Sequence, residues 1–456
     1  STAPPPPTPP VNTAPPTISG TPQQGQTLTA SPGTWTGSPT PTYTYHWSDG
    51  NVGVSDVLGA SDVGQNVSVT VTATNSAGSA TAASSSVGPV TASGATGSCD
   101  LNATPASFAS QFSALQPGQT LCLASGSYGT WTPGSKSGRV TVQAAQGADV
   151  TIDVDFKNSA NITLDGIDQL QYVTIEGASH DLTISHSTVT PGLVHLLVDQ
   201  FNHANILIDH DTFPNTIATS GQGRVWTDFN SVNTTNTIGV TVSNSLFTGG
   251  DMIDILIEGG AGLQVLNNEF TGMDNTINEA IHSDTIFNFG DQGHNVMKGN
   301  WFHDQIDVPA CGWAQWDGGD SNVFENNVIS HAGGATGHDG CYESMAVLAD
   351  SGSVIQHNTI EAGTGEAGPI GQILVGHKCA EQTGTGAIIR DNVVASIDQG
   401  AACTSPFTAD HNINSATYVG GASPNSFAGF ALAAGSPGIG AASDGTNIGI
   451  ELPTGG

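Results

Sequence analysis

Five segments in the second half of the chain share one pattern of apolar and polar positions. VLNNEF, MKGNWF, FENNVI, IQHNTI and IRDNVV carry Asn268, Asn300, Asn327, Asn358 and Asn392 in turn. An apolar residue follows two positions later in each: Phe270, Phe302, Ile329, Ile360 and Val394. The pattern continues upstream through Val189, Phe213 and Phe247, with Ser187, Asp211 and Ser245 in the asparagine position. Such self-similarity is an internal repeat. Its steps of 24, 34, 23, 32, 27, 31 and 34 residues are too uneven for a helical solenoid. They suit a parallel β-coil whose turns carry loops of different length. Asparagine tolerates the left-handed backbone of a sharp turn, and its amide can bond its counterpart on the next coil, so the column is expected to form a ladder.

The N-terminal part has a different pattern. Residues 1–15, STAPPPPTPPVNTAP, read as a proline-rich linker or tail with nothing to bury. Residues 16–91 alternate as strands between turn residues, notably TYTYHW and VSVTVTATN. They resemble small bacterial immunoglobulin-like β-sandwich modules, without the cysteine pair of antibody domains, so that Trp47, Tyr45 and valines would form the core. A passive spacer role is expected. Residues 92–98 form a flexible linker before a large domain at 99–456.

The large domain opens with PASFASQFSALQPGQTLCLASGSYGTW, in which Phe108, Phe112 and Leu115 recur at helical spacing before a Pro-Gly turn and a strand. Such a segment would cap the open end of a coil stack. FALAAGSPGIGAASDGTNIGI, from Phe430, would close the other end. Cap, repeat and closing segment together resemble a right-handed parallel β-helix of the pectate-lyase-like superfamily, over about Cys99 to Ile450. The fold expected is therefore all-β. The resemblance implies a groove along the first parallel sheet, walled by loops, where extended polysaccharides bind. Its superfamily holds lyases, glycoside hydrolases, epimerases and adhesins, so fold alone does not choose a reaction.

With 7 Lys+Arg against 39 Asp+Glu the formal charge is −32, which makes nucleic acid and anionic lipid poor partners. No apolar run is long enough to span a membrane, and no signal peptide is evident. The start at Ser1 suggests a processed form, and secretion is the simplest expectation. Cys99 and Cys122, Cys311 and Cys341, and Cys379 and Cys403 are 23, 30 and 24 residues apart, each about one coil. Neighbouring rungs would bring these pairs within disulfide reach, although six cysteines formally allow 15 pairings. No Cys-x-x-Cys zinc motif occurs.

Extra length is concentrated between Phe270 and Ile370, in TGMDNTINEAIH, HDQIDVPACG, SHAGGATGHDGCYE and EAGTGEAGPI. Long loops on a rigid scaffold often carry function. Period-two alternation assigns the strands beside them. In DILIEGG, Ile253, Ile255 and Ile257 read as inward, leaving Asp254, Leu256 and Glu258 on the groove. In HSDTIFNFG, Thr285 and Phe287 read as inward, leaving His282, Asp284, Ile286 and Asn288 outside. In GWAQWDGG, Ala314 and Trp316 read as inward, leaving Trp313, Gln315 and Asp317 outside. Glu343 in CYESMAVLAD faces out only if the following turn is one residue shorter.

Rungs about 4.8 Å apart place such carboxylates roughly 5 or 10 Å from one another. Those separations bracket the ones used for glycoside cleavage. Repulsion within the cluster would leave a protonated acid beside an ionised base. Asp284 and Asp317 are the leading catalytic candidates, with Asp254, Glu258 and Glu343 as alternates. Trp313, Gln315, His282 and His338 are candidates for holding sugar. A solvated acidic face explains the same carboxylates without chemistry.

The expected function is thus a secreted glycoside hydrolase acting on a neutral or weakly charged polysaccharide, with no cofactor. A polysaccharide lyase is the main alternative. Lys298 and Arg390 share a column with Glu325 and Gln356 on another sheet, which leaves Arg224, Lys378 and His377 as its basic candidates. Calcium held by the acids could serve an anionic substrate. A non-catalytic adhesin or filament component is the third reading, and the oligomeric state is open.

Overall fold

The computed structural model describes residues 7–23, 27–51, 53–58, 62, 65–90, 98–189, 196–199, 203–214, 223–228, 239–258, 260–277, 284–291, 293–318, 321–330, 340–347, 351–361, 371–375, 386–399, 407–421, 424 and 426–452. The chain divides into two compact units, residues 1–93 with 419–430, and residues 94–418 with 431–456.

The first unit is built from short antiparallel strands. Thr42–Trp47, Val69–Asn75 and Gly78–Ala83 form one sheet, and Thr17–Ser19, Thr27–Ser31 and Ser55–Val57 form another. Trp47 packs with Leu28, Leu58, Val67, Val69 and Val90, with Tyr45 against the cluster. The proline-rich segment is not a free tail. Its residues Thr8–Ala14 form a strand paired with Thr34–Ser38, and Pro10 is buried. Proline is tolerated at an edge, where its missing N–H faces no partner strand.

The second unit is a right-handed parallel β-helix. From Ala204 onward the coils visit three parallel sheets in the same order, as in Ile253–Glu258, Gln264–Leu266 and Glu269–Thr271, followed by Ile286–Asp291, Val296–Lys298 and Trp301–His303. The sheets contain 11, 13 and 7 strands among the described residues. The extra length is not all loop: most of HDQIDVPACG belongs to the strand Ile306–Gly318 of the 11-stranded sheet. At the N-terminal end, the helix Phe108–Ala114 sets Phe108 and Phe112 against Trp131, with ring centroids 5.0 and 4.7 Å apart. Inward Phe213, Phe247, Phe270 and Phe302 stack along the 7-stranded sheet at 4.4, 4.7 and 4.8 Å.

The asparagine ladder is present and buried. Asn268, Asn300, Asn327, Asn358 and Asn392 are at most 2% exposed. Each backbone N–H donates to the side-chain oxygen one rung on: Asn268 to Asn300 at 2.9 Å, Asn300 to Asn327 at 2.9 Å, Asn327 to Asn358 at 2.9 Å. Each side-chain amide also donates back to a strand carbonyl, as Asn327 Nδ2 does to Met297 at 2.9 Å. The column continues to Asn412 and upstream through Ser245, Asp211 and Ser187. One expectation is corrected: the left-handed residue is the one before the ladder position, namely Asn267, Asn326, His357 and Asp391, with φ of 56°, 56°, 55° and 59°. A second ladder, absent from the sequence reading, joins Leu263, Asn295, Asn322 and Ser353 at the entry to the 13-stranded sheet.

The closing segment runs back along the turn column. Ser443 N–H donates to Asp391 Oδ1 at 2.7 Å, Gly449 N–H to the Asp391 carbonyl at 2.8 Å, and Glu451 N–H to Asn326 Oδ1 at 2.6 Å. Cys99 and Cys122 form a disulfide with Cα atoms 5.5 Å apart. Cys311 is also disulfide-bonded. The side chain of Cys341, and Cys379 and Cys403 altogether, lie outside the described residues.

Asp211 is the ladder's one carboxyl, and it is fully buried. Its Oδ1 accepts the Ser187 N–H at 2.7 Å, while Oδ2 has no hydrogen-bond partner. Burial raises its pKa well above the carboxylate range, the Ser187 bond opposes this, and the charges of Asp209 and Asp165 add to it. A folded-state pKa raised in this way gives stability that is complete below the unfolded value of about 4 and is lost as pH rises above it. Asp211→Asn would supply the amide that Asn268 uses on the Val242 carbonyl. We expect this variant to melt higher than the parent at neutral pH, with a flatter dependence of Tm on pH. Asn327→Ala should instead cost about 1–3 kcal/mol in chemical denaturation, because it strands buried partners on both sides.

Candidate functional site

The groove-side face of the 11-stranded sheet follows from register. Val225, Ile255, Ile286, Trp313, Met345 and Ile373 occupy successive rungs of one column, and all belong to the core. The outward column beside it includes Trp226, Leu256, Phe287, Ala314 and, two rungs further, Leu374. The middle of this face is therefore apolar rather than acidic.

In Ile253–Glu258 the expected phase holds, with Ile255 and Ile257 in the core. Asp254 and Leu256 point outward, yet both are 2% exposed, and Glu258 accepts a bond from Trp226 Nε1 at 3.0 Å. On the next two rungs the expected phase is inverted. Ile286 enters the core, Asn288 shares the inward register of Ile257, and Asp284 is buried at 1% exposure just before the strand. Trp313 is 0% exposed and lies parallel to Phe324, 6.1 Å away, so its ring is closed to a sugar. In backbone register Gln315 pairs with Asn288, and Asp317 pairs with Phe289, which itself pairs with Glu258. Glu343 pairs in register with Ala310. The side chains of Gln315, Asp317 and Glu343, together with His282, His338, His377 and Lys378, lie outside the described residues. Asp254 and Asp284, whose side chains are described, are both buried.

What the register does bring together is Arg224 and Asp254, outward on adjacent rungs and 0% and 2% exposed. Arg224 Nε lies 3.3 Å from Asp254 Oδ1. Its guanidinium also donates to the carbonyls of Phe213 at 2.9 Å and Thr248 at 3.2 Å, and to that of Gly249. These carbonyls lie where the chain leaves the 7-stranded sheet, so the arginine ties that corner to the groove-side sheet. Burial pushes the Asp254 carboxyl up to about 7 against the pull of Arg224. A proton can thus be taken or given there near neutrality.

Lys298 and Arg390 are placed as expected, on the 13-stranded sheet. Lys298 Nζ meets Glu325 at 2.7 Å, and Arg390 donates to Gln356 Oε1 at 2.9 and 3.0 Å. On the outer side of the 7-stranded sheet lies a cluster that sequence reasoning missed. His303 Nδ1 meets Asp304 at 2.7 Å, Nε2 meets Glu269 at 3.1 Å, and Trp301 stacks on the ring at 3.8 Å. Only the Trp-x-His alternation of one short strand hints at it. Among the described residues no group of three or more His, Cys, Asp or Glu converges as metal ligands.

The architecture defines a parallel β-helix protein with an extended 11-stranded parallel sheet. Solved structures similar to it include pectate lyase Pel9A, at 11% identity and TM-score 0.39, covering 77% of this chain and 96% of that one. Alginate lyase from Paenibacillus sp. str. FPU-7 is similar at 12% identity and TM-score 0.36, over 69% of this chain and 99% of that one. PL6 family alginate lyase AlyGC follows at 12% identity and TM-score 0.35, over 78% and 59%. No protein-family model and no curated protein matches the chain. No helix among the described residues is long and apolar enough to cross a membrane.

His303 supplies a prediction. Burial lowers its pKa, but the bonds from Asp304 and Glu269 outweigh that and hold it above the ordinary imidazole value. Its raised folded-state pKa contributes stability that is full below about 6.5 and lost as pH rises through the folded value. His303→Gln should remove that slope from a Tm titration while leaving the low-pH Tm reduced.

Proposed function

We propose that the protein is a secreted polysaccharide lyase that binds an extended uronate-containing glycan along the 11-stranded sheet. The supporting observation is the Arg224–Asp254 pair. In it a carboxyl near neutrality lies beside a fixed guanidinium. Elimination needs a base for the proton next to a uronic carboxylate, and positive charge to favour the resulting anion. Asp254, once ionised, is the base in this reading. Arg224 positions it and contributes the charge. The bond to the leaving sugar oxygen breaks as the ring double bond forms, and no water enters the products. The names of the similar solved structures agree with a lyase, but the proposal rests on the pair.

Because the base must be ionised, kcat/KM should rise with pH through about 7. Incubation with pectate, alginate and neutral glycans, followed by product mass and ultraviolet absorbance, tests the reaction. Unsaturated products without added water are expected, and Asp254→Asn should lower turnover at least about 100-fold. Lys298→Ala and Arg390→Ala should leave it unchanged. Products carrying one added water would restore the hydrolase reading, and binding without cleavage would favour the adhesin.

A further inference from the structure

We propose that Tyr172 is the platform of a sugar subsite on the 11-stranded sheet, taking an uncharged sugar of the glycan while a uronate lies at Arg224 and Asp254, a placement that rests on the lyase reading. Gly126–Trp131, Val150–Lys157 and Gln169–Glu176 are the first three strands of that sheet. Ile152, Val154 and Phe156 enter the core, as do Val173 and Ile175, so Asp153, Asp155 and Tyr172 stand on the other face. Thr130 pairs with Asp153, and Asp153 with Tyr172. One position along, Val173 pairs with Leu196, Leu196 with Val225, and Val225 with Ile255. The residues just before these put Tyr172, Arg224 and Asp254 in one outward column. Tyr172 stands two rungs from Arg224 and three from Asp254, about 10 and 14 Å along the sheet.

Its side chain is 38% exposed, and no other tyrosine, tryptophan or phenylalanine among the described residues is as open. Such a ring offers apolar area to the C–H face of a pyranose and a hydroxyl at its edge. Burial raises the pKa of the phenol, and the nearby charges of Glu176 and Asp155 raise it further, so it stays a donor. The polar groups around it are held in place. Thr174 Oγ1 donates to Asp155 Oδ1 at 2.8 Å, and Lys157, the one base in these three strands, pairs with Glu176 at 3.2 Å. Carboxylates accept hydrogen bonds from sugar hydroxyls, but a uronate here would face Asp153, Asp155 and Glu176 with a single lysine to offset them. Like charges brought together reject a partner, so this end of the face discriminates against uronate and admits a neutral sugar. The substrate class is then a heteropolysaccharide carrying both uronic and neutral sugars, and not a uronate homopolymer.

Titration calorimetry on the full chain carrying Asp254→Asn, which holds substrate without turnover, compares two probes of equal length: an oligomer alternating galacturonate with neutral hexose, and oligogalacturonate. The alternating oligomer should bind more tightly. Tyr172→Ala, at an exposed position, should weaken that binding about threefold to tenfold, and Tyr172→Phe, which keeps the ring, should lose about twofold at most. Asp153→Asn combined with Asp155→Asn should strengthen oligogalacturonate binding about threefold or more. The proposal is overturned if oligogalacturonate binds as tightly as the alternating oligomer, if Tyr172→Ala leaves the affinity unchanged, or if the double variant keeps the full preference. The lyase reading is tested apart from this, by unsaturated products of the native sequence; their absence, with the binding differences intact, strikes that reading and leaves the subsite standing.

Discussion

A backbone N–H buried at the corner of a coil has no strand carbonyl in line with it, and leaving it unpaired costs about 1–3 kcal/mol. This protein meets the requirement with a side-chain oxygen from the following coil, repeated from the Ile167 N–H, which meets Ser187 Oγ, to Asn412. Serine satisfies the backbone N–H and donates its one hydroxyl proton to a carbonyl of its own strand, as Ser187 and Ser245 do at 2.9 and 2.8 Å. Asparagine satisfies it and donates twice, to the strand behind and to the next asparagine's Oδ1. The shift from serine to asparagine along the column therefore increases the bonding per rung toward the C-terminal half. Asp211 shows the same requirement from the other side, since only a protonated carboxyl can imitate an amide there.

The ladder was legible because it occupies a turn of constant length. From Asn268 to Phe270 nothing can be inserted without breaking the column, so the spacing survives in the sequence. The 11-stranded sheet was less legible because the insertions immediately before it reset the alternation. Ile253–Glu258 kept the expected phase, but the next two rungs did not. Polar Asn288 lies inward where Thr227 and Ile257 precede it, and outward Phe287 and Ala314 are apolar. A face covered on its outer side loses the contrast that period-two reading requires.

The same burial bears on the candidate side chains. Asp284 and Trp313 were read as outward, and the fold encloses both. Arg224 was visible in sequence only as one of few cations, and nothing in its surroundings named Asp254 as its partner across a gap of 30 residues set by a loop.

The closing segment has a consequence for the order in which the molecule comes apart. Among the described residues its last bond is made by Glu451 to Asn326, while Ser443 is anchored at Asp391, so the segment runs back into the stack. A mechanical pull on the residues after Glu451 must first lift Glu451 from the Asn327 rung. It next frees Gly449 and Ser443, and only afterwards reaches the Asn412 coil. That coil is thus guarded by bonds made three coils inside it, and its release becomes a sequence of separate steps.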